Sequence, residues 1–127
     1  MFSHVTVGSN DMAKAKGFYE SLLNPLGLVR HVEYPNAVGY GPSGGRPQLW
    51  IGSPLDKKAA TVGNGITIGL DAPNRPAVDA AYKAGMAAGG KDEGPPGLRT
   101  HYHPNYYGAY LRDPDGNKVC IVCHRSA

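Results

Sequence analysis

The sequence predicts an α+β domain whose two halves repeat one plan, a strand, a helix and further strands, around a ligand-sized cup. Three observations predict it. In each half an alternating apolar run gives way to apolar residues at helical spacing, a change of period from 2 to 3.6. His4 and Thr67, Tyr19 and Tyr82, and Gly27 and Gly90 are each 63 residues apart, which fits an internal duplication. The chain then closes on Tyr107 to Arg112, Asp113-Pro114-Asp115-Gly116 and Lys118 to His124. This reads as a hairpin, because the proline presets φ for a type I turn and the glycine supplies positive φ.

In the first half, Phe2 to Gly8 alternates, with Val5 and Val7 on one face and His4 and Thr6 on the other. Ser9-Asn10-Asp11 offers capping side chains, and Ala15, Phe18, Tyr19 and Leu22 follow at helical spacing until Asn24-Pro25 and Gly27 stop the helix. Leu28 to Tyr34, Ala37 to Tyr40 and Gln48 to Gly52 read as short strands. A polar linker, Leu55 to Asn64, separates module one (about residues 1–54) from module two (about residues 65–127). There Ile66, Ile68 and Leu70 share a strand face opposite Thr67; Asn74 caps a second helix, Pro76 sits in its first turn, and Gly89-Gly90 ends it. The glycine- and proline-rich stretches Gly39 to Pro47 and Gly94 to Gly97 read as loops between strands.

With 127 residues, the chain fits a single domain with a real core. Its 41% hydrophobic and 18% charged residues, without long single-sign runs, are those of a globular protein. The net charge of +3 comes from scattered basic residues, with only Lys57-Lys58 adjacent, and no glycine-rich phosphate loop is present. Nucleic acid is therefore not an expected partner. No apolar stretch reaches the roughly 18 residues of a membrane span, so neither membrane insertion nor export is expected. Cys120 and Cys123 on one strand would face opposite ways, against a disulfide and in favour of a reducing cytoplasm.

Three segments carry a resemblance: His4-Val5-Thr6-Val7 leading to Gly17-Phe18-Tyr19 and Pro25-Leu26-Gly27; the strand at Gly65 to Leu70; and the run from Tyr110 to Lys118. In this order they resemble the vicinal oxygen chelate (VOC) superfamily of glyoxalases, bleomycin-resistance proteins and extradiol dioxygenases. The resemblance covers essentially the whole chain. It implies two βαβββ modules forming an open, cup-shaped mixed sheet with the helices packed outside, small-molecule chemistry in the cup, and a homodimer. One fold of this kind hosts isomerases, lyases, dioxygenases and plain binding proteins, so function has to be argued from the site.

In metal-using members the resemblance implies ligand positions that fall here on His4, Gln48, Thr67 and Cys120, each turned away from the helix-packed face by the alternation. A divalent catalytic metal wants three or four converging His, Cys, Asp or Glu donors. His4 is a good ligand, Cys120 a soft one and Gln48 a weak one, while Thr67 stands where a histidine is expected. The alternative for His4 is a strand histidine hydrogen-bonded inside the cup, and for Cys120 a small buried hydrophobe. His101-Tyr102-His103 offers two imidazoles either on one strand face or in a loop over the cup mouth, where either is a candidate general acid or base. Trp50, Tyr106 and Tyr110 would suit a flat or apolar ligand. Asp113 and Asp115 read as turn formers.

The leading expectation is thus a bleomycin-resistance-like protein that binds a small organic molecule through His4, Gln48, Trp50, Thr67, His101, His103, Tyr106 and Tyr110, without a tightly held cofactor. The first alternative is a glyoxalase-like lyase or isomerase, or a dioxygenase, with zinc, iron or nickel on His4, Cys120 and Gln48. The second is a protein-interaction module with a vestigial cup.

Overall fold

The computed structural model describes residues 1–127. Eight strands and two α-helices follow one another as β1 (Val5–Gly8), α1 (Met12–Leu23), β2 (Leu28–Tyr34), β3 (Ala37–Pro42), β4 (Leu49–Gly52), β5 (Ile68–Asp71), α2 (Arg75–Ala87), β6 (Lys91–Leu98), β7 (Tyr107–Arg112) and β8 (Lys118–Cys123). Each half is a βαβββ module with its own four-stranded mixed sheet, in the orders β1-β4-β3-β2 and β5-β8-β7-β6. In each sheet the first strand runs parallel to the last, β1 on β4 and β5 on β8, and the other pairings are antiparallel. The sheets are open. No helix is long and apolar enough to cross a membrane.

The helices start where the sequence places them. Asp11 accepts from the Lys14 N–H and Asn74 from the Ala77 N–H, so each satisfies one of the orphan donors of a first turn. β5 and α2 begin 63 residues after β1 and α1. The register does not survive to the helix ends. Gly27 adopts the left-handed conformation (φ 75°), but in the second half Gly89 does so (φ 102°) rather than Gly90.

One core joins the modules. Phe18 and Leu22 of α1, Val78 and Ala81 of α2, Val38 and Ile51 of the first sheet, and Leu111 and Ile121 of the second are all fully buried in one cluster. Gly85 allows the two helices to meet, since a Cβ there would lie 2.9 Å from Leu22 Cδ1 and 2.8 Å from Leu111 Cδ1. Cys123 joins this core while Cys120 does not, so the two free cysteines take opposite faces of β8 as expected.

Three expectations need correction. β1 starts at Val5, not Phe2, and β5 at Ile68, because the first rung of the β1 ladder is Val5 N–H to Gln48 O and a turn (Ile66 N–H to Gly63 O) holds Ile66 out of the sheet, 58% exposed. His4 and Thr67 therefore sit just before their strands. Residues Gly94 to Gly97 belong to strand β6 rather than to a loop: pairing with β7 overrides the local turn preference, and the register shift between Gly94 and Gly97 absorbs Pro95 and Pro96. An edge strand tolerates such prolines because its outward N–H groups have no partner to lose. The loop after β3 is likewise shorter than read, since β3 extends to Pro42.

The turn between β7 and β8 reaches across to module one. Buried Asp113 accepts from the Tyr19 hydroxyl at 2.6 Å, from the Asn117 amide at 2.9 Å, and from the N–H groups of Asp115 and Asn117, each at 2.9 Å. Asn117 also donates to Gly8 O at 3.0 Å, and Asp115 accepts from Asn10 N–H at 2.8 Å. Asp113 and Asp115 are turn formers, and Asp113 is in addition the latch between modules.

Burial, and secondarily the Asp113 charge, push the Tyr19 hydroxyl well above the ordinary phenol range. A raised folded-state pKa means that the unfolded chain loses this proton first. The contribution is therefore complete below about pH 10 and is lost as pH rises beyond it, by roughly 1.4 kcal/mol per pH unit. Urea denaturation at a series of pH values above 9 should show a loss of stability to which the other raised tyrosines, Tyr40 and Tyr106 among them, also contribute, and Tyr19→Phe should make its slope shallower by about this amount.

Candidate functional site

Two adjoining cavities share Gly69 of β5, one bordering the core at Leu23, Tyr40 and Leu49 and the other on the opposite side of β8 from the core. The smaller, about 210 Å³, lies where the approaches to β1 and β4 meet β5. The rung between Val5 N–H and Gln48 O brings His4 and Gln48 side by side there, among Leu23, Leu28, Tyr40 and Leu70. His4 is exposed, and its Nδ1 lies 2.9 Å from the Ser3 hydroxyl.

The larger cavity, about 520 Å³, belongs wholly to module two. Alternation along β8 turns Lys118, Cys120 and Val122 into it, with His124 just past the strand end. β7 contributes Tyr110, the approach to β5 contributes Thr67, and the loop between β6 and β7 contributes Tyr102, His103 and Tyr106.

Its polar groups form two chains. Tyr106 Oη lies 2.7 Å from Tyr110 Oη and 3.5 Å from Cys120 Sγ. Burial first, and then hydrogen bonding to Cys120 and Tyr110, push the Tyr106 hydroxyl above the ordinary phenol range; burial does the same to Tyr110. Both remain neutral O–H groups at physiological pH, able to donate or accept but not to act as phenolates.

In the second chain the Asn105 N–H donates to His103 Nδ1 at 3.1 Å, so in the neutral ring the hydrogen is on Nε2, which faces His124 Nδ1 at 2.8 Å. Both nitrogens of His103 are thereby engaged. Neutral His124 carries its hydrogen on Nε2. The edge of Tyr106 packs against both imidazoles, at 5.6 and 5.4 Å between centroids.

The structure thus gathers Thr67, His103, Tyr106, Tyr110 and Cys120 in one cavity and His4 with Gln48 in the other. Two expected residues stand outside both. Trp50 crosses its neighbour Gly39, where no side chain intervenes, and stacks in parallel on Tyr34 at 6.2 Å. His101 does not share a strand face with His103, because the segment is a turn in which Tyr102 N–H donates to Arg99 O; its ring packs tilted against Tyr102 at 4.2 Å between centroids instead. Lys118 and His124 escaped the sequence reading, although their even spacing from Cys120 was the signal that would have found them.

No group of three or more His, Cys, Asp or Glu side chains is arranged so that it could hold a metal ion. His4 and Cys120 line different cavities, and the other two implied positions hold a glutamine and a threonine. That donor set does not fit a divalent catalytic metal, which requires three or four converging ligands.

Residues 1–121 match the family model of the Glyoxalase/Bleomycin resistance protein/Dioxygenase superfamily. The chain belongs to this superfamily. A glyoxalase/bleomycin resistance protein from Albidiferax ferrireducens is similar to this superfamily member at 43% identity and TM-score 0.86, over 97% of this chain and 98% of that one. A superfamily enzyme from Burkholderia phytofirmans shares its fold at 21% identity and TM-score 0.74, over 97% and 98%. Lactoylglutathione lyase from Agrobacterium tumefaciens does so at 21% identity and TM-score 0.67, over 97% and 92%. No curated protein matches the sequence.

Proposed function

We propose that this superfamily member is a bleomycin-resistance-like, homodimeric protein that binds a small organic molecule in the larger cavity and carries no resident catalytic metal. The observation that supports the reading is the state of that cavity's polar groups. Tyr106, Tyr110 and Cys120 satisfy one another, His103 is engaged at both nitrogens, and what remains is an open pocket with aromatic walls and a few donors. Such a pocket lies within the usual size for small-molecule sites. It contains neither a converging ligand set nor a nucleophile beside a free base. Homodimerisation would cover the exposed His4, Gln48 and Thr67, and two free cysteines suit a reducing cytoplasm.

Elemental analysis of protein purified without chelator, normalised to chain concentration, tests the reading. The expected result is substoichiometric metal, unaltered by His4→Ala, on a particle of twice the 13.4 kDa chain mass by light scattering. Close to one zinc, iron or nickel per chain, lost in His4→Ala or Cys120→Ala, would overturn it in favour of a metal-dependent enzyme.

A further inference from the structure

The larger cavity is lopsided in charge. Lys118, His103 and His124 line it, and no aspartate or glutamate does. The ion pairs of the chain belong to Lys16, Arg30 and Arg112, and the Lys118 ammonium makes none, although the Glu93 carboxylate feels its charge. Glu93 is taken by Arg112 at 2.8 Å. Lys118 Nζ instead lies 5.4 Å from the centroid of the Tyr110 ring, within the cation–π range. Lys118 is half-buried and its ammonium makes no ion pair, so it can take an anion, because a charge-assisted hydrogen bond is worth about twice a neutral one.

The walls say what the anion is attached to. Tyr102 and Tyr106 pack at 4.8 Å between centroids, tilted by 54°, and Tyr102 remains 60% exposed. Although His101 also packs on it at 4.2 Å, this exposure leaves ring surface beside the open cavity. The cationic equipment also limits the head group. The cavity offers a single ammonium and no guanidinium fork, since Arg99 is spent on the carbonyls of Gly97 and Pro95 and Arg112 on Glu93 and the Gly116 carbonyl. No helix N-terminus points in. This suits one negative charge on a planar group rather than a phosphate, which usually draws several backbone N–H groups or an arginine fork.

We propose that the cavity selects a planar aromatic carboxylate, with the carboxylate on Lys118 and the ring against Tyr102 and Tyr106. The assignment rests on the small-molecule reading above and deepens it to a ligand class. The Thr67 hydroxyl and His124 Nε2–H are further donors on the same cavity wall.

Matched probes test it: 2-naphthoate, 2-naphthamide and 2-naphthylmethylammonium, titrated calorimetrically into the native protein and into Lys118→Gln, with circular dichroism as the check on folding. On the native protein the acid should bind at least about tenfold more tightly than the amide, and the ammonium probe more weakly than either. In Lys118→Gln the preference for acid over amide should fall below about threefold. Equal binding of acid and amide, or an unchanged preference in Lys118→Gln, would overturn charge selection while leaving the binding reading intact. If no probe at about 1 mM binds or raises the melting temperature, the aromatic-carboxylate assignment is overturned, while the small-molecule reading is decided separately by the metal analysis above. Should Lys118→Gln not fold, the comparison of the three probes on the native protein still decides.

Discussion

Asp113→Ala is expected to destabilise the fold by about 3–5 kcal/mol in urea denaturation, the largest effect of any single polar substitution. Four hydrogen bonds end on this carboxylate, and it is only 3% exposed. Its loss leaves the Tyr19 hydroxyl buried without a partner and the turn from Asp113 to Asn117 without its organising acceptor. Removing an acceptor from buried donors costs more than such a bond contributes on average, because the donors keep their desolvation penalty. Set against the 5–15 kcal/mol typical of a domain, the loss takes a large share of the total. Asp113→Asn keeps the Oδ1 bonds but turns an amide towards Tyr19, so it should fall between alanine and the native protein.

Gly41→Ala is expected to cost about 2–4 kcal/mol by the same measurement, for a steric reason. A methyl group there would collide with the Arg46 carbonyl oxygen and lie 2.9 Å from its carbon and 3.2 Å from Pro47 Cα. These are backbone atoms of the connection into β4, so relief requires moving the chain that sets Gln48 beside His4. Gly17→Ala is the control. Gly17 lies inside α1, has no atom within 4 Å of the added Cβ and has no positive φ, so alanine there should stabilise by about 0.5–1 kcal/mol. If Gly41→Ala proves as benign as Gly17→Ala, the tight approach of Arg46 does not hold the first cavity in shape.

These sites show which parts of the molecule were legible in the sequence. Helix starts were, because Asp11 and Asn74 act on donors three residues away and local chemistry decides them. The orientation of Cys120 towards the cavity and of Cys123 towards the core followed from strand alternation alone. β6 was not legible, since its local signal is a turn and its strand identity comes from pairing with β7. The His103–His124 contact joins a loop to a strand end 21 residues on, and no periodicity predicts where a loop side chain will land. Trp50 was placed on the correct face, yet its ring direction depends on the missing side chain of Gly39 across the sheet. The duplication set the starts of β5 and α2 but not their partners: Tyr19 is locked on Asp113, whereas its counterpart Tyr82 donates to Asp92 near the surface.

The bulges in β2 and β6 bear on how the protein behaves in concentrated solution. Each of these strands is one of the two edges of its sheet, the other being β1 or β5, and a straight, unpaired edge is a template on which a second molecule can add strands without limit. β2 breaks register between Arg30 and Val32, and β6 does so twice, the second time across a pair of prolines that have no N–H to offer. A partially opened copy would find no continuous ladder to zip onto along β2 or β6. The ladder bonds forgone at these irregularities are thus exchanged for resistance to strand addition at these two edges.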